Sequence, residues 1–164
     1  MAKDYSRGTW FIWITLFLAL AADMLPYPAS FLRFKPEITL LLLLFWIIYQ
    51  PRVMGVATAF LLGLFLDVLY GAQLGQHAFT LSVVAWFSLS SAQRIRMWKP
   101  AQQSVFIFII VGIYQSLNYW LAGVGNWAQL GLNYLLPALI AAVLWPMLSL
   151  TLGQFARGVG VENQ

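Results

Sequence analysis

Few residue types in this 164-residue chain could carry out chemistry. It contains no cysteine, one histidine (His77) and five acidic residues. Without cysteine, disulfides, thiolate nucleophiles and Cys-ligated metal sites are excluded, and one histidine cannot form a two-histidine zinc motif. A hydrolase with paired carboxylates would need Asp23, Glu37 and Asp67, because the other two acids lie in the polar tails. We therefore expect a protein that is not an enzyme, with no catalytic residue, metal or cofactor.

The composition indicates a chain embedded in a lipid bilayer. Apolar residues make up 62% of the chain and charged residues 9%, against about 45–50% and roughly 25% in soluble domains. A water-soluble fold and a disordered chain are therefore excluded. A membrane-spanning helix needs about 20 residues, so the length fits about six spans and leaves no room for a second domain. The basic residues stand singly or in short groups between apolar runs, a pattern typical of cytoplasmic loops and not of a nucleic-acid-binding surface.

Six apolar runs predict an all-α membrane protein with six transmembrane helices in a single domain, residues 1–164. The helices are expected at about residues 9–25, 37–49, 53–70, 78–92, 105–121 and 130–152. The second run covers only about 20 Å, less than the hydrocarbon core of about 30 Å. It is extended by its flanks, packed inside the bundle, or placed where the bilayer thins. A five-span chain with a re-entrant second run stays open.

The distribution of basic residues favours six spans. In that topology, one side of the membrane holds Lys3, Arg7, Arg52, Arg94, Arg96, Lys99 and Arg157. The other side holds only Arg33 and Lys35. By the positive-inside rule, both termini are then cytoplasmic. We interpret Arg52 as a topology anchor and expect a basic cytoplasmic loop at residues 94–99.

The third apolar run carries a stripe of small residues with one acid within it. The stripe residues recur at every fourth position and are Gly55, Ala59, Gly63, Asp67 and Gly71. Small residues allow the backbones of two membrane helices to approach closely. The simpler interpretation is packing within this chain, and the sharper one is a contact surface for the transmembrane helix of a partner.

Asp67 is expected in the outer part of the membrane, where an unpaired charge is costly. The candidates for pairing with it are Arg33, Lys35 and His77. We interpret Asp67 as a structural clasp that fixes the outer loop onto the helix. A ligand or proton site is the less favoured alternative, because a proton path needs several ionisable groups in series. His77 is interpreted as a hydrogen-bonded loop residue, and Glu37, which directly follows a proline, as the start of the second helix.

Residues 35–79 carry an ordered set of short motifs. They run from Lys35-Pro36-Glu37 and a leucine run to Pro51-Arg52-Val53, Gly55, Ala59-Phe60, Leu62-Gly63, Asp67-Val68, Gly71 and Leu74-Gly75-x-His77-Ala78. This order resembles the MreD family of rod shape-determining membrane proteins, and length and hydropathy agree over the whole chain.

The resemblance implies a multi-pass protein of the bacterial cytoplasmic (inner) membrane that belongs to the elongation machinery, or elongasome. Members of the family bind MreC, a single-span protein, directly. Through MreC they are connected to MreB and to RodA with its transpeptidase partner, and so to cell shape and lateral peptidoglycan synthesis. The family is similar in fold to the six-helix S components of energy-coupling-factor transporters. No catalytic residues are assigned to it.

We therefore expect a non-enzymatic scaffold that holds MreC by helix packing in the lipid bilayer. The stripe on the third helix is the predicted binding face, with residues 26–36 and 94–99 as outer and inner contacts. The alternative function is a small-solute-binding or transport subunit related to vitamin-uptake S components. It predicts an outward cavity lined by Asp67, Asn118 and Asn126, and a ligand that stabilises the protein.

Overall fold

The computed structural model describes residues 5–25, 36–123 and 132–158. Their α-helices are α1 (Tyr5–Asp23), α2 (Ile38–Tyr49), α3 (Val56–Tyr70), α4 (Gln76–Arg96), α5 (Pro100–Leu121) and α6 (Leu136–Gly158). A short 3-10 helix, Leu132–Leu135, leads directly into α6. All the regular structure in these ranges is helical, which confirms the predicted all-α architecture of six helices.

Four helices (α1, α4, α5 and α6) extend beyond the apolar runs that predicted them, and two of these extensions shorten the predicted basic loop. Helix α4 continues to Arg96, and α5 begins at Pro100. An apolar run stops at the first polar residues, but basic residues are favourable in the last turn of a helix and proline is favourable at the first position. The connection therefore shrinks to residues 97–99, and half of the basic loop predicted at residues 94–99 belongs to α4.

Hydrogen bonds between helix ends show how the first helices are oriented. Asp23 at the end of α1 accepts a hydrogen bond from the backbone N–H of Thr39 at the start of α2, at 2.8 Å. Arg96 at the end of α4 donates to the carbonyl oxygen of Ile48 near the end of α2, at 2.9 Å. Helices α2 and α4 therefore run in the same direction, and α1 runs opposite to both.

The remaining helices continue this alternation. The side-chain amide of Gln76 at the start of α4 donates to the carbonyl of Asn118 near the end of α5, at 3.3 Å. The rings of Tyr119 and Tyr134 pack edge to face at 6.0 Å where α5 ends and the 3-10 helix before α6 begins. Helices α1, α3 and α5 thus end where α2, α4 and α6 begin, and both described chain ends lie at the same end of the bundle.

Charged residues are divided between the two ends of this bundle. The end where α2 and α4 begin, the acidic end, holds Asp23, Glu37 and Asp67. The opposite end, the basic end, holds Arg52, Arg94, Arg96 and Lys99. Among the side chains that the structure describes, the acidic end has no lysine or arginine and the basic end has no carboxylate.

Helix α2 lies at the centre of the bundle. All its residues from Thr39 to Ile48 are buried, and it packs against α1, α4 and α6. Trp46 donates from its indole nitrogen to the Thr15 hydroxyl of α1, at 2.9 Å, and its ring packs edge to face on Phe11 at 6.0 Å. A helix that is apolar on all sides belongs in a core. The second apolar run is therefore short because it is buried inside the bundle.

The outer surface of the bundle is strongly apolar. Phe17 is 72% exposed, and Val68 and Val143 are each 69% exposed, on three different helices. Soluble monomers rarely expose contiguous apolar patches larger than a few hundred Å². By length and composition, α5 and the Leu136–Ala156 part of α6 are able to cross a membrane. These features agree with a surface that faces lipid.

Candidate functional site

The junction between α3 and α4 is a short turn fixed by two glycines. Gly71 ends α3 with a φ of +61°, and Gly75 precedes α4 with a φ of +99°. Glycine adopts this left-handed backbone conformation without steric cost, and the residue just after a helix commonly requires it. Gly71 belongs to the small-residue stripe of the sequence, but its role in the structure is to end α3 through this backbone conformation. The turn brings the last turn of α3 beside the first turn of α4.

The carboxylate of Asp67 joins these two turns from a buried position, with 1% of the residue exposed. Its Oδ1 accepts the backbone N–H of His77 at 2.7 Å. Its Oδ2 accepts the backbone N–H of Gly75 at 2.8 Å and that of Ala78 at 3.4 Å. The first N–H groups of a helix have no partner within it, and negative charge is favourable there. Asp67 of α3 therefore caps the start of α4.

Of the three pairing candidates for Asp67, the structure places His77 beside it. Nδ1 of His77 lies 2.9 Å from Oδ1 of Asp67. Arg33 and Lys35 lie outside the described residues. The sequence does not reveal the backbone donors of α4, because a backbone N–H is present at every position except proline. Gly71 and Gly75, which precede His77, are the feature of the sequence that indicates a tight turn before α4.

The middle of the small-residue stripe is covered by α4. A Cβ atom on Gly63 would lie 2.3 Å from Cα of Ala78 and 2.6 Å from the carbonyl oxygen of His77. Ala59 is fully buried as well. Packing within the chain is therefore the interpretation that the structure supports. The interpretation as a partner-binding face fails at Ala59, Gly63 and Asp67, because α4 already occupies the space a partner helix would need.

Gly55 lies at the beginning of the stripe and has a different role. It is the residue that precedes α3, and its backbone N–H donates to the hydroxyl of Thr58 at 2.9 Å. The Thr58 hydroxyl donates in turn to the carbonyl of Gly55 at 2.8 Å. A Cβ atom at Gly55 would meet nothing within 4 Å. Gly55 therefore starts the helix and makes no close interhelical contact.

Glu37 precedes α2, as expected for the start of a helix, but its side chain does not cap that helix. The cap comes from Asp23 at the end of α1, which is 2% exposed. Asp23 accepts the backbone N–H of Ile38 at 3.2 Å and that of Thr39 at 2.8 Å. Asp23 thus caps α2 as Asp67 caps α4.

At the basic end, Arg96 caps the other end of α2. Its guanidinium donates from Nε and Nη2 to the carbonyl of Ile48 at 3.2 and 2.9 Å, and from Nη2 to the carbonyl of Tyr49. It also lies 5.9 Å from the ring centroid of Tyr49. Positive charge is favourable at the C-terminus of a helix. Arg52 lies in the turn just after α2 and is exposed.

The residues proposed to line a solute cavity are engaged within the protein. The side chain of Asn118 donates to the carbonyl of Tyr114 at 3.1 Å and accepts from the hydroxyl of Thr80 at 3.4 Å. Asn126 lies outside the described residues. One apolar groove of about 470 Å³ lies between α5 and the 3-10 helix before α6, another of about 460 Å³ lies between α5 and α6, and a cavity of about 280 Å³ lies at the basic end. None of these three is lined by Asp67 or Asn118, so the geometry does not favour the solute-binding alternative.

Comparisons with known proteins identify one family. The family model described as rod shape-determining protein MreD matches residues 5–155. The chain is 28% identical over 151 residues to a protein of Haemophilus influenzae named rod shape-determining protein MreD, and the match covers 92% of this chain and 93% of that protein. No solved structure matches the chain significantly. The family match confirms the resemblance inferred from residues 35–79.

Proposed function

The chain belongs to the MreD family of rod shape-determining proteins, and from this premise we propose that it is a membrane scaffold of the bacterial elongation machinery. It holds MreC in the cytoplasmic membrane without catalysing a reaction. Through MreC it supports MreB and RodA with its transpeptidase, and thereby lateral peptidoglycan synthesis. The family match over nearly the whole chain is the observation that carries this proposal. A fold similar to that of transporter S components is part of the same proposal.

The proposed topology has six membrane crossings with both termini in the cytoplasm. The alternating directions of α1 to α6 support it, because each helix ends where the next begins. The four described lysine and arginine side chains of the basic end support a cytoplasmic location for that end, by the positive-inside rule. Helix α2 crosses as a short central helix that is shielded from lipid by its neighbours.

We place the binding face for the single transmembrane helix of MreC on α5 and α6. The two apolar grooves are both lined by Phe108, and together they follow α5 where it lies beside the 3-10 helix and α6. Gly112 and Ser116 line one groove one turn apart, and small residues at this spacing allow close helix contact in membranes. This surface has small residues at the same spacing as the stripe on α3, and no residue of α4 lines it.

The test is capture of MreC by a variant whose groove is filled. In Gly112→Leu, a Cβ atom would meet only a methyl group of Leu135, at 3.8 Å, so the variant should fold. The added side chain should displace a partner helix and lower capture at least about fivefold, because overpacking a contact costs about 1–3 kcal/mol. Ala57→Leu is the control, since it adds similar bulk on the exposed side of α3. Undiminished capture by Gly112→Leu at normal expression would exclude this face.

A further inference from the structure

A cavity of about 280 Å³ lies at the basic end, between the end of α2 and the last two turns of α4. Its polar lining consists of Tyr49, Gln50, Arg52, Gln93 and Arg96. The two arginines come from different elements, the turn after α2 and the last turn of α4. We call this space the basic-end cavity.

Arg96 lines the cavity and has more hydrogen-bond donors than its bonds to α2 use. Its bonds to the carbonyls of Ile48 and Tyr49 use Nε and Nη2, whereas a guanidinium has five N–H donors. In the part of the chain that the structure describes, neither carbonyl accepts a hydrogen bond from Nη1 of Arg96. The same bonds and the ring of Tyr49 hold the guanidinium in place, so a ligand would meet a donor that is already oriented.

The charge and size of the basic-end cavity select a small anion. Two guanidinium groups line it, and no carboxylate lies at this end among the side chains that the structure describes. Arginine matches the geometry of phosphate oxygens with paired N–H donors. The cavity volume of about 280 Å³ lies at the small end of the range for ligand pockets, about 300–1,000 Å³, which is enough for a single phosphate-bearing group.

The position of the cavity indicates where that phosphate comes from. The next residues after Arg96 are Met97 and Trp98, which are 81% and 43% exposed, and tryptophan is typical of the headgroup level of a bilayer. Basic pockets between membrane helices on the cytoplasmic side bind anionic lipid headgroups. We infer that the basic-end cavity binds the phosphate headgroup of an anionic phospholipid from the cytoplasmic leaflet. This inference rests on the proposed orientation and not on the binding of MreC.

The experiment measures lipid retention by the purified full-length protein. The protein is reconstituted in nanodiscs that contain phosphatidylcholine and phosphatidylglycerol, and the lipids that stay bound are identified by native mass spectrometry. Arg52→Gln removes one charge from the cavity wall. Arg94→Gln is the matched control, because it removes the same charge from the same end but Arg94 does not line the cavity. Gln93→Trp fills the cavity without a change of charge.

We expect wild type and Arg94→Gln to retain phosphatidylglycerol selectively. Arg52→Gln should bind it about fivefold more weakly, since one basic residue near anionic lipid contributes about 1 kcal/mol. Gln93→Trp should lose the selective adduct as well. Equal thermal stability of the variants in pure phosphatidylcholine discs would show that the fold is intact. Unchanged retention in both cavity variants, or equal loss in Arg94→Gln and Arg52→Gln, would overturn the inference.

A separate arm distinguishes lipid from a free anion. Inorganic phosphate at millimolar concentration is added to the protein in pure phosphatidylcholine discs, and no thermal stabilisation is expected. Stabilisation of wild type but not of Arg52→Gln would assign the cavity to a soluble phosphate compound and overturn the lipid source. MreC is absent from all these assays. A negative result would therefore not contradict the scaffold proposal, which is tested separately by the capture of MreC.

Discussion

At the scale of single residues, the two buried aspartates cap helices by accepting hydrogen bonds from backbone N–H groups. Asp23 and Asp67 each lie near the end of one helix and accept hydrogen bonds from the first N–H groups of the next. In a membrane, water cannot satisfy those N–H groups, and each unsatisfied group is costly. The same contact satisfies the carboxylate, which would otherwise be an expensive buried charge. Each aspartate thus connects the end of one helix to the start of the next.

Replacement of Asp67 by asparagine should strongly destabilise the α3–α4 junction. The amide has one acceptor oxygen instead of two, and its NH₂ group would face the N–H donors of α4. Loss of hydrogen bonds to a charged group costs about 1.5–3 kcal/mol each, so we expect a loss of about 3 kcal/mol. His77→Ala should cost less, because it removes the ring contact but keeps the backbone N–H. Thermal unfolding in detergent measures both, and equal stability of Asp67→Asn and wild type would contradict the capping role.

Gly63→Ala should destabilise the protein through a backbone clash. The added Cβ atom would lie 2.3 Å from Cα of Ala78, so α3 and α4 must separate, and overpacking of this kind costs about 1–3 kcal/mol. Gly153→Ala is the matched control, because a Cβ there meets nothing within 4 Å and helix propensity favours alanine. Thermal midpoints of the two variants provide the comparison, and equal midpoints would refute the close contact. Bulky variants of Gly63 therefore report folding rather than partner binding.

At the scale of helices, α2 is held at both ends by charges from its neighbours. Asp23 of α1 lies at its start and Arg96 of α4 at its end, and both signs suit the helix macrodipole. Helix α2 has 12 residues and is about 18 Å long, so its ends cannot reach the water on both sides of a bilayer. The neighbouring side chains supply the hydrogen-bond partners that water would otherwise provide.

Removal of the Arg96 cap should weaken the attachment of α2 to α4. In Arg96→Gln, the carbonyls of Ile48 and Tyr49 lose their charged donor, which we expect to cost about 1.5–3 kcal/mol. Arg94→Gln lies on the same helix and is exposed, so it should change stability by less than about 0.5 kcal/mol. Detergent unfolding followed by circular dichroism measures the difference. Equal losses in the two variants would indicate a general effect of charge and not a cap.

The sequence predicts helices well and contacts between helices poorly, for physical reasons. Apolar runs reveal all six helices, including the short α2, because burial in lipid or core demands continuous apolar sequence. The caps made by Asp23 and Arg96 leave no pattern, since a backbone group is present at every position. The stripe through Gly63 indicates close packing but not the identity of the packing partner. The spacing is the same whether that partner is α4 or a second protein.

At the scale of the whole molecule, the separation of charge between the two ends of the bundle supports the proposed orientation in the membrane. The acidic end uses Asp23 and Asp67 internally to cap helices, whereas Arg94 and Lys99 of the basic end are exposed. Carboxylates have little influence on membrane topology, and exposed lysine and arginine have a strong one. In the proposed orientation, these exposed cations would face the anionic surface of the cytoplasmic leaflet.

This orientation can be measured directly because the chain contains no cysteine. Leu74 and Met97 lie in the short connections at opposite ends and are 79% and 81% exposed, so single cysteines there form a matched pair. With six crossings, a membrane-impermeant maleimide added to intact cells should label Leu74→Cys and not Met97→Cys or Gln154→Cys. All three should react after lysis. If α2 were re-entrant, the chain after it would be inverted, and Met97→Cys and Gln154→Cys would be labelled in intact cells while Leu74→Cys was protected.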